Sequence, residues 1–347
     1  MRLRAALRPI LVLSLLDKPY RLPGGSRIFH IGWVVWAWKV QDLVLADADT
    51  HVLEATWHAK INDKFGGDLD TIHMCARYIE HCLKALGVDI WRVRFERAEE
   101  LMDDLEYWGA VINVAKNVTL ARVKRAMSIM GRKVDDAESD YSKTLYPCIQ
   151  VADILYSGFK LCLGGTDQRR AHILARELAP KFGLEWKPVA IHTPLLIGLQ
   201  GLSRMEVKGG EEEDVLMEAK MSKSKPQTAI FIHDSAEEIR EKIGAAFCPP
   251  KQVEFNPVLE INRLLLLSRS GSSLHVERKE KYGGPVDFTS FDDLKSAYAG
   301  GSLHPLDLKQ ATADALTSLL EDVRRYFEEN SEAHGLLEKL KGVIVTR

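Results

Sequence analysis

Short apolar runs at residues 52–55, 91–95, 189–192 and 229–233 each lie close to a stretch with helical periodicity. That alternation restricts the chain to an α/β architecture, whose buried strands form a sheet covered on both faces by helices. Residues 68–86 place Leu69, Ile72, Ala76, Ile79 and Leu83 on one helical face and stop at Gly87. Ser235 followed by Glu238 has the spacing of a capping box that opens a further helix. Beyond Cys248-Pro249-Pro250 strand patterns thin out and helical ones such as residues 311–326 dominate, which places a domain boundary near 230–250. The length of 347 residues suits two domains. The polar stretch of residues 201–220, with its Gly-Gly-Glu-Glu-Glu-Asp, reads as an exposed mobile loop.

The balance of 47 Lys and Arg against 49 Asp and Glu excludes a polybasic binder as the whole account of the chain. The five cysteines are never spaced as CxxC, which argues against a disulfide framework or a structural zinc site and for a reducing compartment. An apolar stretch at residues 9–16 follows the basic start Met-Arg-Leu-Arg-Ala-Ala-Leu-Arg, but it is short and lacks an A-x-A cleavage pattern before Asp17, so a secretory signal is not expected. No run approaches the roughly 20 apolar residues of a membrane span. A cytoplasmic location follows as the expectation.

Two short motifs carry the chemistry. In His30-Ile31-Gly32-Trp33, ahead of an apolar helical run, a glycine lets a nucleotide approach the backbone and the helix N-terminus favours phosphate oxygens. In Lys220-Met221-Ser222-Lys223-Ser224-Lys225, lysines separated by small hydroxyl residues can meet the charge that develops on a leaving pyrophosphate. As isolated features these read as a surface histidine before a core helix and as a solvated basic loop. Together they resemble the signatures of a class I aminoacyl-tRNA synthetase.

The segment between them narrows the resemblance. Tyr146, Gln150 and Asp153 share one helical face among apolar neighbours, so their polar groups need partners. Gly164-Gly165 reads as a tight turn, followed by Gln168, Arg169 and Arg170. This Y-P-x-x-Q-x-x-D and G-G-x-x-Q-R combination is similar to the tyrosyl-tRNA synthetase family of archaeal and eukaryotic type, over residues 28–320. The resemblance implies a Rossmann-type parallel-sheet catalytic domain at residues 28–235, with an inserted helical segment near 107–145 and a mobile loop at 201–226. A mainly helical anticodon-binding domain would follow at residues 236–347, and residues 1–27 form an atypical N-terminal segment.

It also implies a homodimer that joins L-tyrosine and ATP, accompanied by Mg²⁺, into tyrosyl-adenylate and passes the tyrosyl group to tRNA(Tyr). No tightly bound cofactor and no dedicated protein metal site are expected. By resemblance, His30, Gly32 and Lys220, Met221, Ser222, Lys223 and Ser224 would bind ATP. Asp153 would meet the phenolic hydroxyl of tyrosine, Tyr146, Gln150 and Gln168 would surround its amino end, and His58 and Tyr20 would lie near the same pocket. Arg125, Arg169 and Arg170 match acceptor-stem positions, and Tyr282, His304 and Asp307 match anticodon-reading ones. Between residues 107 and 134 the basic residues Lys116, Arg122, Lys124, Arg125, Arg132 and Lys133 occur with no acidic one, a face suited to phosphates.

The N-terminal segment departs from the family. Pro19 and Pro23 weaken a central strand there, and the family's first strand is not expected in it. Two other readings stand beside the tyrosyl one: a tryptophanyl or other nucleotidyl-transferring relative, and a non-catalytic RNA-binding paralogue or defective chain.

Overall fold

The computed structural model describes residues 29–127, 140–202, 221 and 226–343, and the backbone of residues 10–12. Its described residues form two compact units. One contains residues 10–12, the described residues within 36–194, and residues 332–343; the other contains residues 29–35 and the described residues within 195–331.

The first unit is built on a five-stranded sheet of order β3-β2-β1-β4-β5. Its strands are β1 (Ile10–Val12), β2 (Thr50–Glu54), β3 (Val93–Arg97), β4 (Leu161–Gly165) and β5 (Val189–Thr193), all paired in parallel. This is the strand order of an open Rossmann-type sheet wound in both directions from its first strand, and it meets the α/β expectation. The central position of β1 corrects the reading of the N-terminal segment. Ile10 pairs with Thr50 on one side and Leu161 on the other, so residues 10–12 do supply a first strand, ahead of the prolines.

Other strand expectations shift as well. Trp91 falls in a 3₁₀ turn before β3 and is 87% exposed, and β5 forms a sheet edge with Val189 55% exposed, so neither run is a buried strand throughout. Gly164 and Gly165 end β4 in extended backbone instead of making a tight turn. The reason is space: a Cβ at Gly164 would lie 3.2 Å from the Gln168 side chain and from His172.

The helices that carry site residues follow their sequence patterns closely. Helix α1 (Gly32–Leu45) begins at the first motif and α2 (Thr56–Ile61) carries His58. Helix α3 (Leu69–Ala85) is capped by Asp68, whose carboxylate accepts from the Thr71 N–H, and it buries Ile72, Ala76, Ile79 and Leu83 as expected. Helices α4 (Leu105–Lys116), α5 (Leu120–Ala126), α6 (Ser142–Tyr156) and α7 (Arg169–Leu178) complete the part of this unit around the site. Apolar residues of α4 and α6, among them Val111, Val114, Val151 and Leu155, share one core with Leu53 of β2 and Leu174 of α7.

In the second unit, α8 (Ala236–Ala245) starts with the expected capping box: Ser235 Oγ accepts from the Glu238 N–H and the Glu238 carboxylate from the Ser235 N–H. Among the described residues the run 229–233 joins no sheet, and Phe231 forms an isolated antiparallel bridge with His30. Further along lie a two-stranded antiparallel ribbon, β6 (Leu274–Val276) with β7 (Val286–Phe288), and the helices α9 (Pro305–Leu319) and α10 (Glu321–Glu329). Among the described residues no helix is long and apolar enough to cross a membrane.

Candidate active site

Helix α6 presents Tyr146, Gln150 and Asp153 on one buried face, and packing against α2, α4 and α7 decides what each meets. Asp153 is fully buried. The Tyr107 hydroxyl on α4 donates to its Oδ1 at 2.6 Å, and His58 Nε2 lies 2.9 Å from its Oδ2. Burial, reinforced by the Asp153 charge, drives the Tyr107 phenol far above its usual range, so it remains a proton donor. The His58 ring meets the Tyr146 ring edge-on at 5.2 Å. A cavity of about 100 Å³ reaches Asp153, with His51, Leu53, Ser157 and Phe159 among its walls.

One helical turn away, Gln150 Nε2 donates to Gln168 Oε1 at 2.8 Å. The buried Tyr146 hydroxyl and Gln150 Oε1 have no hydrogen-bond partner among the described residues. Buried polar atoms of this kind carry a desolvation cost that a bound ammonium or hydroxyl would offset. Beneath Gln168, His172 Nδ1 lies 2.9 Å from His192 Nε2 with the rings stacked, and burial, followed by the neighbouring imidazole, lowers the His172 pKa to about 3. His172 is therefore a neutral packing element beside Gly164.

In the second unit, His30 is buried and its Nδ1 accepts the Gly32 N–H at 3.1 Å. A Cβ at Gly32 would sit 2.8 Å from His30 Cε1, so only glycine allows this closed turn at the start of α1. The same Cβ would lie 3.7 Å from Leu196 Cβ, and the Leu196 carbonyl accepts the Met221 N–H at 2.6 Å. The first motif and Met221 of the second are thus brought together through Leu196. Lys220, Ser222, Lys223 and Ser224 lie outside the described residues, as do Tyr20, Arg132, Lys133 and most of the 201–226 loop.

The basic residues separate into different environments. Arg170 Nη1 donates to the Arg125 carbonyl at 3.4 Å, which joins the start of α7 to α5, and Arg169 is exposed beside it. Arg122 is ion-paired with Glu177, so the basic face is partly neutralised. Farther along the chain, Tyr282 is 61% exposed with Lys281 Nζ 4.7 Å from its ring centroid. His304 caps α9, its Nδ1 accepting the Leu306 N–H at 3.2 Å, and Asp307 lies in the first turn of that helix. Arg278 ties these segments together, donating to the Gly284 carbonyl at 2.9 Å and the Ser302 carbonyl at 2.8 Å.

The family model "tRNA synthetases class I (W and Y)" matches residues 23–206 and 214–321. This chain belongs to that family. The tyrosine–tRNA ligase of Aeropyrum pernix is 53% identical over 319 residues, spanning 92% of this chain and 87% of the relative, and that of Sulfurisphaera tokodaii is 52% identical over the same shares. Among solved structures, the tyrosyl-tRNA synthetase of Aeropyrum pernix superposes with a TM-score of 0.82 at 44% identity, covering 98% of this chain and 92% of that one. The tyrosyl-tRNA synthetase of Pyrococcus horikoshii complexed with L-tyrosine gives 0.84 at 38% identity, covering 96% and 92%.

Sequence reasoning about this synthetase missed Tyr107 and Arg278. Tyr107 lies in a helix that reads as an ordinary amphipathic segment, and the signal available was a tyrosine on its buried face beside Val111 and Val114. Arg278 had no local signal, because its partners are carbonyls of loops that only the fold brings close.

Proposed function

We infer that this chain activates tyrosine with ATP and transfers it to tRNA. The observation that carries the reading is the buried Asp153 carboxylate with a tyrosine hydroxyl and an imidazole on its two oxygens, with Gln150 Oε1 one helical turn away and the Tyr146 hydroxyl two turns away, both without a hydrogen-bond partner among the described residues. Such a strip suits an amino acid with a phenol at one end and an ammonium at the other. The close likeness to curated tyrosine–tRNA ligases supports the same substrate.

The reaction needs no protein nucleophile, since the substrate carboxylate attacks the α-phosphorus and pyrophosphate leaves. Catalysis is then positioning and charge stabilisation. Tyr146, Gln150 and Gln168 orient the amino end, and Asp153 selects the hydroxyl. Gly32 and the start of α1 receive phosphate oxygens, with His30 shaping that turn, and the lysines of the second motif meet the growing charge on pyrophosphate. Mg²⁺ would ride mainly on the ATP phosphates and water. Arg125, Arg169 and Arg170 receive the acceptor stem, and Tyr282, His304 and Asp307 the anticodon. The working form is a cytoplasmic homodimer.

Amino-acid-dependent exchange of pyrophosphate into ATP, measured with each of the twenty amino acids, tests the reading. Tyrosine should dominate. Exchange driven by tryptophan instead, or by none, would overturn it.

A further inference from the structure

The segment that leaves the lysine motif is held on both of its edges. On one, the Ile31 N–H donates to the Ile230 carbonyl at 2.9 Å and the Ile232 N–H to the Phe29 carbonyl at 3.0 Å, so His30 and Phe231 face each other as the non-hydrogen-bonded pair of a short antiparallel bridge. In such a pair the peptide groups of Phe231 point away from the bridge. They meet Asp234, a fully buried residue: its Oδ2 accepts the Phe231 N–H at 2.9 Å, and its own N–H donates to the Phe231 carbonyl at 3.1 Å. The same Oδ2 takes Lys242 Nζ at 2.5 Å, and that ammonium stands 5.0 Å from the Phe231 ring centroid.

The ion pair therefore grips Phe231 through both its backbone and its ring. The grip reaches α10 as well: Arg324 donates to the Asp234 carbonyl at 3.4 Å, and the Phe327 ring meets His233 edge-on at 4.3 Å.

We propose that Asp234 and Lys242 are positioning residues for adenylate formation, acting through Phe231 to set the backbone of the His30 motif. This rests on the reading that His30 and Gly32 serve the ATP side of the reaction. The pair touches no substrate. Its effect is to place the start of α1, and a displacement there should appear in the chemical step and not in tyrosine binding.

The test compares Lys242→Met, which keeps the stem and removes the charge, with Lys242→Arg and Asp234→Asn. Tyrosine-dependent pyrophosphate exchange is read as separate kcat and KM values, alongside equilibrium binding of tyrosine and thermal melting. Lys242→Met and Asp234→Asn should lower kcat by up to about 100-fold, the scale of a small misplacement transmitted from outside the chemistry, with tyrosine binding kept within about two-fold. Lys242→Arg should recover most of the rate. In a His30→Ala background, Lys242→Met should cost much less than it does alone.

Unchanged kcat with a lowered melting temperature, or equal additive losses in both backgrounds, would reduce the pair to a structural anchor and overturn the proposal. If Lys242→Met does not fold, Asp234→Asn and Lys242→Arg decide on the same readouts. Absence of tyrosine-dependent exchange in the unmodified protein would instead overturn the proposed function.

Discussion

Tyr107 and Asp153, 46 positions apart in the chain, share a buried hydrogen bond of 2.6 Å in which the phenol donates and the carboxylate accepts. The bond orients the group that is to recognise the substrate hydroxyl. It also means that Asp153 is held by α4 and α2 before any ligand arrives.

Removing the donor while keeping the ring isolates that role. Tyr107→Phe should weaken tyrosine activation by about 10- to 100-fold in kcat/KM, the scale of one hydrogen bond to a charged group, and narrow the preference over phenylalanine. Exchange assays with both amino acids check this. An unaltered preference would show that Asp153 is oriented by other contacts.

The lysines of the second motif should act on the transition state more than on ATP binding. Lys223→Ala should slow single-turnover adenylation by about 100- to 1,000-fold, the loss seen when a preorganised donor to developing charge is removed, with a smaller change in ATP affinity. Rapid-quench measurement of adenylate formation separates the two. A loss confined to ATP affinity would place Lys223 in ground-state binding only.

Tyr282 offers an exposed ring with Lys281 Nζ 4.7 Å from its centroid, suited to stacking on an unstacked base. Tyr282→Ala should raise the KM for tRNA by about 10- to 100-fold and leave pyrophosphate exchange nearly unchanged, because stacking on one base contributes about 1–3 kcal/mol. Comparing aminoacylation with exchange distinguishes this from unfolding, which would depress both.

Glu54 supplies a pH signature. Burial and then the neighbouring Glu80 raise its carboxyl from 4.5 to about 8, against a partial opposing pull from Arg97, with Glu99 adding to the rise. The folded state thus holds this proton more tightly than the unfolded chain does, so its contribution to stability is complete below pH 4.5 and is lost as pH rises through about 8. Glu54→Gln should flatten the decline in melting temperature over that interval. Parallel declines in the two proteins would assign the slope to other groups.

Features that depend on local periodicity were legible in the amino-acid order alone. Tyr146, Gln150 and Asp153 share a face because they lie at helical spacing, α3 ends before Gly87, and Ser235 with Glu238 closes a capping box because both partners fall within one turn. The two signature motifs and the family were legible in the same way, as fixed short patterns. Which groups these faces would meet was set by long-range packing. Tyr107 reaches Asp153, Arg278 joins the Tyr282 turn to the segment before His304, Asp234 grips Phe231 opposite His30, and residues 10–12 enter the sheet at its centre. The longer-range of these contacts join segments that carry no mark of each other, because a residue's pattern encodes which side of its own element is buried and not what packs against that side. For β1 the local signal even pointed the other way: a short apolar run ahead of two prolines says little about a strand whose stability comes from neighbours on both sides.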